Sequence, residues 1–463
     1  MERKNAWAAY AGDDGRVEAF AKAYCDFINN GKTERECVAY GEKLAKAHGF
    51  EDLNAVVRSG RKLEAGARVY ANWMGKSFML FVLGEKPLEE GMNILGAHID
   101  SPRIDVKQNP LYEDTDLAYL DTHYYGGIKK YQWVAIPLAL HGVIVRKTGE
   151  KVIINIGEDE NDPVFCISDL LVHLAQEQMT KNAKEVVEGE ALNLIVGGRP
   201  LEGEEKDAVK ANVLKLLADK YGVEEEDFLS AELEIVPAGK ARDMGFDRSM
   251  ILAYGHDDRV CAYPSMMAVL DYEGTPEYTL CCIVTDKEEI GSVGATGMAS
   301  HYLENTVAEL YACTADYCEL AVRRCLRNSR MLSSDVSAGY DPNFASAFEK
   351  KNSAFLGRGI CFNKFTGSRG KSGSNDANPE FMASLRKIMD DAGVAFQTAE
   401  LGRVDLGGGG TIAYLCAKYG MNVIDSGIAV LSMHAPYEVI SKVDLYEGYR
   451  GYCAFLRGAK PVE

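Results

Sequence analysis

An apolar run, Tyr278-Thr-Leu-Cys-Cys-Ile-Val284, empties into Thr285-Asp286-Lys287-Glu288-Glu289-Ile290-Gly291-Ser292. The run reads as a buried strand, so the acids fall where that strand gives way to a loop. Ligands of open α/β sheets gather at the carboxyl ends of strands. Two acids there repel each other and resist desolvation unless a cation compensates them. Taken alone, Glu288-Glu289 reads as two solvated loop acids. The other acids and histidines of the chain change that reading.

The chain has 463 residues, 47% of them hydrophobic, enough for a large core and two domains. A net charge of −18 argues against nucleic acid or an anionic membrane as partner. The first ten residues, Met1-Glu-Arg-Lys-Asn-Ala-Trp-Ala-Ala-Tyr10, show no apolar signal core. No apolar run reaches the ~18 residues that a membrane span needs. Twelve cysteines fall mostly in apolar segments without a Cys-x-x-Cys, which predicts reduced, buried thiols and a cytoplasmic location.

Apolar side chains at helical spacing (Val17, Phe20, Ala21, Tyr24, Phe27, Ile28) predict that residues 16–47 form one amphipathic opening helix. Strand-like runs follow at 77–83 and 92–97, the second ending directly in His98. From 106 to 245 the texture changes. Strand-like stretches at 134–145 and 152–156 precede a charged segment, 185–227, whose acid clusters read as a solvated face or mobile loop. This region is expected to be an inserted second domain, leaving 1–105 and 246–463 as the first. After Gly245, helices are expected at 257–272, 307–324, 376–392, 411–418 and 443–457. Strands are expected at 278–284, 331–336, 354–362, 395–398 and 422–428. The alternation implies an α/β fold, a sheet with helices on both faces.

Five distant points share one character: His98, Asp257, Glu289, Asp335 and His434 each end an apolar run or begin the helix after it. On a parallel sheet such ends share a rim. Imidazole and carboxylate together suit zinc or a similar divalent ion. Each has a structural alternative: a core histidine, a helix cap for Asp257, a turn for Asp335. Five coincidences in one α/β chain are less economical than one site. His98 and Asp100 are two apart, so on a strand they face the same side. A carboxylate behind a ligating imidazole fixes its tautomer.

His98-x-Asp100-Ser-Pro, Asp257-Asp258-Arg259, Glu288-Glu289-x-Gly-Ser and Ser432-Met-His434 occur in this order. Together they resemble the M18 aminopeptidases, the aspartyl aminopeptidase family of co-catalytic metallopeptidases, and the stretch 124–133 resembles its bacterial branch. The resemblance implies an α/β metallopeptidase domain with a central mixed sheet flanked by helices, plus an inserted β-rich dimerisation domain. It implies two divalent ions, zinc first, with cobalt or manganese tolerated by the same ligands. Asp257 would bridge them, His434 and Glu289 completing one site and His98 and Asp335 the other. Glu288 would be the general base and acid, with Asp100 orienting His98. A cis peptide at Asp257–Asp258 is implied as well. The substrates would be peptides, cut at their N-termini.

The resemblance also implies a tetrahedral dodecamer built from dimers, with His173 reaching the active site of a neighbouring subunit. From the residues alone, His173 reads equally as a surface histidine of a helix. The run Gly407–Gly410, including Gly409, would line the specificity pocket, or else form a tight turn before a helix. It lacks the lysine of a nucleotide-binding loop. Acid-preferring members carry Lys-x-Asn where this chain has Cys361-Phe362-Asn363. Lys364, Arg369 or Lys371 would then supply the cation, or a broad, neutral preference would replace the acidic one. An inactive, metal-bound assembly protein is the reading from another class. An intact Glu288 argues against it.

Overall fold

The computed structural model describes residues 4–367 and 370–462. The chain divides into two compact units. One comprises the chain up to Asp100, Ala241–Met433 and the chain from Glu438 onward; the other comprises Ser101–Lys240 and His434–Tyr437.

The first unit is built on a nine-stranded mixed sheet. Its centre is four parallel neighbours in the order Thr279–Thr285, Met92–His98, Arg330–Ser334 and Asn422–Gly427. Ser77–Val82 joins antiparallel at one side and Ile360–Asn363 at the other. Alternate residues of these strands enter two separate cores, as the two-residue period of a pleated strand requires. Leu80, Leu95, Cys282, Leu332 and Ile424 face one core. Met79, Ile94, Cys281, Met331 and Val423 face the other. Helices Gly15–Asn30, Glu34–Ala47, His256–Leu270, Pro379–Asp391 and Lys442–Gly458 supply the first core. Leu53–Ser59, Tyr302–Thr314, Glu319–Asn328 and Ala413–Ala417 supply the second. A smaller five-stranded sheet in the same unit includes Met250–Ala253, Glu438–Ser441 and Ala429–Leu431.

Several elements differ from the sequence reading, each for a local reason. The opening helix is two helices. Gly31 interrupts it, and Thr33 restarts it with a reciprocal cap: Glu36 N donates to Thr33 Oγ1 at 3.3 Å, and Thr33 N donates to Glu36 Oε2 at 3.2 Å. The helix expected at 307–324 is also two. Lys62 Nζ donates to the carbonyls of Ala312 and Ala315 at 2.8 and 2.7 Å, which satisfies the end of the first. The strand expected at 354–362 is confined to Ile360–Asn363. Gly357 and Gly359 before it adopt φ near +80°, and their N–H groups both donate to the buried Asp444 carboxyl at 2.6 Å. Burial pushes that carboxyl up to about 7.

The second unit is a six-stranded antiparallel sheet: Lys151–Ile156, Leu138–Val145, Ala231–Pro237, Arg103–Asp114, Leu117–Tyr125 and Leu194–Gly197. The charged segment 185–227 contains a helix, Ala208–Tyr221. Of its two acid clusters, the second forms a cap, with Glu224 N donating to Asp227 Oδ2 at 3.0 Å, and Glu224, Glu225 and Glu226 are exposed as the solvated face that the sequence suggested. Among the described residues, no helix is long and apolar enough to cross a membrane. All twelve cysteines are free thiols.

Candidate metal centre

Three adjacent parallel strands deliver the principal side chains. His98 is the last residue of Met92–His98, and Asp335 follows Arg330–Ser334. Glu288 and Glu289 form a short turn after Thr279–Thr285, entered through Lys287 at φ 69°. Because the strands run the same way, their carboxyl ends meet on one rim. Asp257 arrives from outside the sheet, in the first turn of His256–Leu270, and the Asp257–Asp258 peptide is cis.

These groups converge. His98 Nε2 lies 3.3 Å from Asp257 Oδ1 and 4.0 Å from Asp335 Oδ1. Ligand atoms of His98, Asp257 and Glu289 all lie within 4.8 Å of one another; so do those of His98, Glu288 and Asp335. His98 and Asp257 are buried. His98 Nδ1 sits 3.0 Å from the carbonyl oxygen of Asp100. A carbonyl only accepts, so Nδ1 carries a proton, which leaves Nε2, facing the cluster, as the nitrogen that a metal ion would take in place of a proton. The Asp100 carboxylate, 3.3 Å from the same nitrogen, has a further task. Its two oxygens accept the backbone N–H groups of Glu288 and Glu289, each at 3.2 Å. One buried carboxylate therefore fixes both the imidazole and the loop that bears the paired acids.

The electrostatics call for a cation. Burial pushes the Asp335 carboxyl well above the usual range, and Glu288 adds to the effect. Burial does the same to Asp258. For His98 burial opposes protonation, but the Asp100 and Asp257 carboxylates outweigh it and raise the imidazole well above its ordinary value. Carboxylates packed this closely cannot all ionise without compensation. A divalent ion supplies it, and an imidazole–carboxylate donor set fits zinc.

His434 belongs to the other unit, where its Nδ1 lies 3.0 Å from the Gly127 carbonyl oxygen. That contact places a proton on Nδ1, as in His98, and leaves Nε2 for a metal ion. His173 is exposed, in a turn rather than on a helix. Lys364 is paired with Asp376, and Lys371 Nζ reaches the other oxygen of the same carboxylate at 3.0 Å. Arg369 lies outside the described residues. Gly409 lies in an irregular stretch between Gly407 and Thr411. Cys361 is buried in its strand, where burial pushes the thiol up to about 12.

Three supporting groups escaped the sequence reading. Asp258 Oδ2 accepts the His98 N–H at 3.2 Å, and Glu438 Oε2 accepts the Asp257 N–H at 3.0 Å. The third, Asp425 in the strand Asn422–Gly427, accepts the hydroxyl of Thr411. The doublet Asp257-Asp258 was the one visible signal for the first of these. Glu438 carries none, because its role depends on a strand pairing with Met250–Ala253.

Residues 27–456 match the family described as Aminopeptidase I zinc metalloprotease (M18). A probable M18 family aminopeptidase 1 from Clostridium acetobutylicum is 58% identical over 459 residues, covering 98% of each chain. The crystal structure of an M18 aminopeptidase from Thermotoga maritima superposes with a TM-score of 0.94 at 43% identity, covering 99% of this chain and 100% of that one. That of aminopeptidase I from Clostridium acetobutylicum gives 0.92 at 56% identity, covering 98% and 99%. The chain belongs to the M18 family of zinc metalloproteases and is a metallo-aminopeptidase.

Proposed function

We propose that the protein removes single N-terminal residues from short peptides, with two divalent ions in the rim site and Glu288 as general base and acid. The observation that carries this reading is the double clamp of Asp100. It holds His98 by the ring and the Glu288-Glu289 loop by two amides, so a ligand acid and a spare acid sit side by side. Asp257 would be shared by both ions, with His98 and Asp335 completing one site and Glu289 and His434 the other. Bound metal supplies Lewis acidity and brings the pKa of water towards ~7. Glu288 takes a proton from the attacking water and returns it to the departing amine. Asp258 and Glu438 hold the backbone of His98 and Asp257 while this happens.

We infer a broad, neutral side-chain preference rather than an acidic one. Cys361 is a buried neutral thiol, and Lys364 already answers Asp376. A panel of aminoacyl reporter substrates tests this. Neutral residues such as leucine are expected to be cleaved faster than Asp or Glu. The reverse order would restore the acidic reading, with Lys371 or Lys364 as its cation. Cleavage of none would end the peptidase reading.

The first unit is read as the catalytic domain and the inserted region as the dimerisation domain of a dodecamer. His173 supports this. It is flanked by Leu170, Leu171, Val172 and Leu174, between 47% and 69% exposed, which is an apolar segment suited to a neighbouring subunit. His173→Ala is expected to lower turnover while leaving metal content unchanged. An unchanged turnover would remove His173 from the reaction. Twelve unpaired thiols fit a cytoplasmic location.

A further inference from the structure

Asp425 lies inside Asn422–Gly427, one of the four central parallel strands, and its carboxyl is buried. In register beside it are Ser333 on one side and Asn363 on the other, both uncharged. Its Oδ1 accepts the hydroxyl of Thr411 at 2.5 Å. Its Oδ2 is buried and finds no hydrogen-bond partner among the described residues. The Thr411 hydroxyl oxygen also accepts, at 3.3 Å, the N–H of Ala413, the first residue of the helix Ala413–Ala417.

Thr411 terminates the run Gly407–Gly410. Gly407 is wedged at the other end: a Cβ there would meet the Leu401 carbonyl oxygen at 1.7 Å, and its N–H donates to Arg403 O at 2.8 Å. Between these anchors the strap is bare. A Cβ on Gly409 would touch only Leu401 Cδ2, at 3.7 Å, and one on Gly410 would meet nothing within 4 Å. With the run pinned at both ends, the open side of Gly409 and Gly410 gives a backbone that another chain can approach closely.

The charge that acts on Asp425 is Glu288. Burial is the larger cause that pushes the Asp425 carboxyl up to about 7, and Glu288 adds to it. The strap is thus tied to a carboxyl within electrostatic reach of the base.

Resting on the aminopeptidase reading, we propose that Thr411 and Asp425 are positioning residues. Their hydrogen bond latches the glycine strap to the central sheet and so sets where the peptide substrate lies relative to Glu288. Neither residue is a metal ligand in that reading, so the latch can be broken without emptying the site.

Thr411→Val removes the hydroxyl at nearly constant volume. It is expected to raise KM about tenfold, the loss of one hydrogen bond to a carboxylate, with kcat within about twofold and metal content unchanged. Thr411→Ser is expected to restore KM. Wild-type KM in Thr411→Val, or equal impairment by Val and Ser, would overturn the proposal. Should the wild type cleave no peptide, the aminopeptidase reading falls by itself. Amide exchange across Thr411–Ala413 then decides the latch: faster exchange in Thr411→Val supports it, and an unchanged rate overturns it.

Discussion

Glu288→Gln is expected to lower kcat by about 10²–10⁴-fold, the range a general acid–base group contributes, with two metal ions still bound per chain. The substitution keeps the shape of the side chain and removes its ability to carry a proton. The backbone amides of 288 and 289 remain held by Asp100, so the loop and Glu289 stay in place. Activity and metal content measured on one preparation separate the classes. A structural metal site needs no base beside its ligand, so an assembly protein would bind metal and hydrolyse nothing, with or without Glu288. Near-wild-type turnover in the variant would assign the proton transfer to another group.

Stripping the metal is expected to abolish hydrolysis and to make stability fall as pH rises. The sign follows from the carboxyls. Burial raises Asp335 and Asp258 above their ordinary values, so the folded metal-free protein holds protons that the unfolded chain has released. Their stabilising contribution is complete below the ordinary carboxylate range, near 4, and is lost as pH climbs through the raised values. His98, also raised, contributes in the same direction, fully present below its unfolded value and lost as pH rises. A divalent cation replaces those protons. Zinc at about 100-fold over its dissociation constant is expected to stabilise the fold by about 2.7 kcal/mol at neutral pH. Denaturant unfolding of stripped and reloaded protein at pH 5 and 8 reads both effects. Stability that is flat with pH and indifferent to zinc would show that the acids do not form a cation site.

How much of this was legible in the chain depends on what carried each feature. His98, Asp335 and the Glu288-Glu289 pair stood out because each lies at or just past the end of a strand-like run, and the structure places those three runs side by side. Asp257 stood out through its doublet. A sheet with helices on both faces followed from the alternation of runs; its mixed character came only with the family resemblance. The split of the opening helix was readable in Gly31 and the Thr33-x-x-Glu36 box; the apolar spacing from Val17 to Ile28 lies wholly in the first helix and says nothing about where that helix stops. The helix Ala208–Tyr221 was hidden because its side chains are mostly half-exposed, so its apolar stripe is weak and its charges dominate. The second task of Asp100, the support from Glu438 and the Thr411–Asp425 bond depend on pairings between distant strands and loops. No local pattern encodes them. His434 presents its own case: its motif is plain, yet its imidazole hydrogen-bonds Gly127, 307 positions away in the chain.

The account rests on Asp257 serving two cations at the carboxyl rim of the sheet, and anomalous X-ray scattering at the zinc edge from zinc-loaded crystals tests it most directly. Two peaks per chain are expected, both beside Asp257, one also touching His98 and Asp335 and the other Glu289 and His434. A single peak, or two peaks that leave Asp257 uncoordinated, would contradict it.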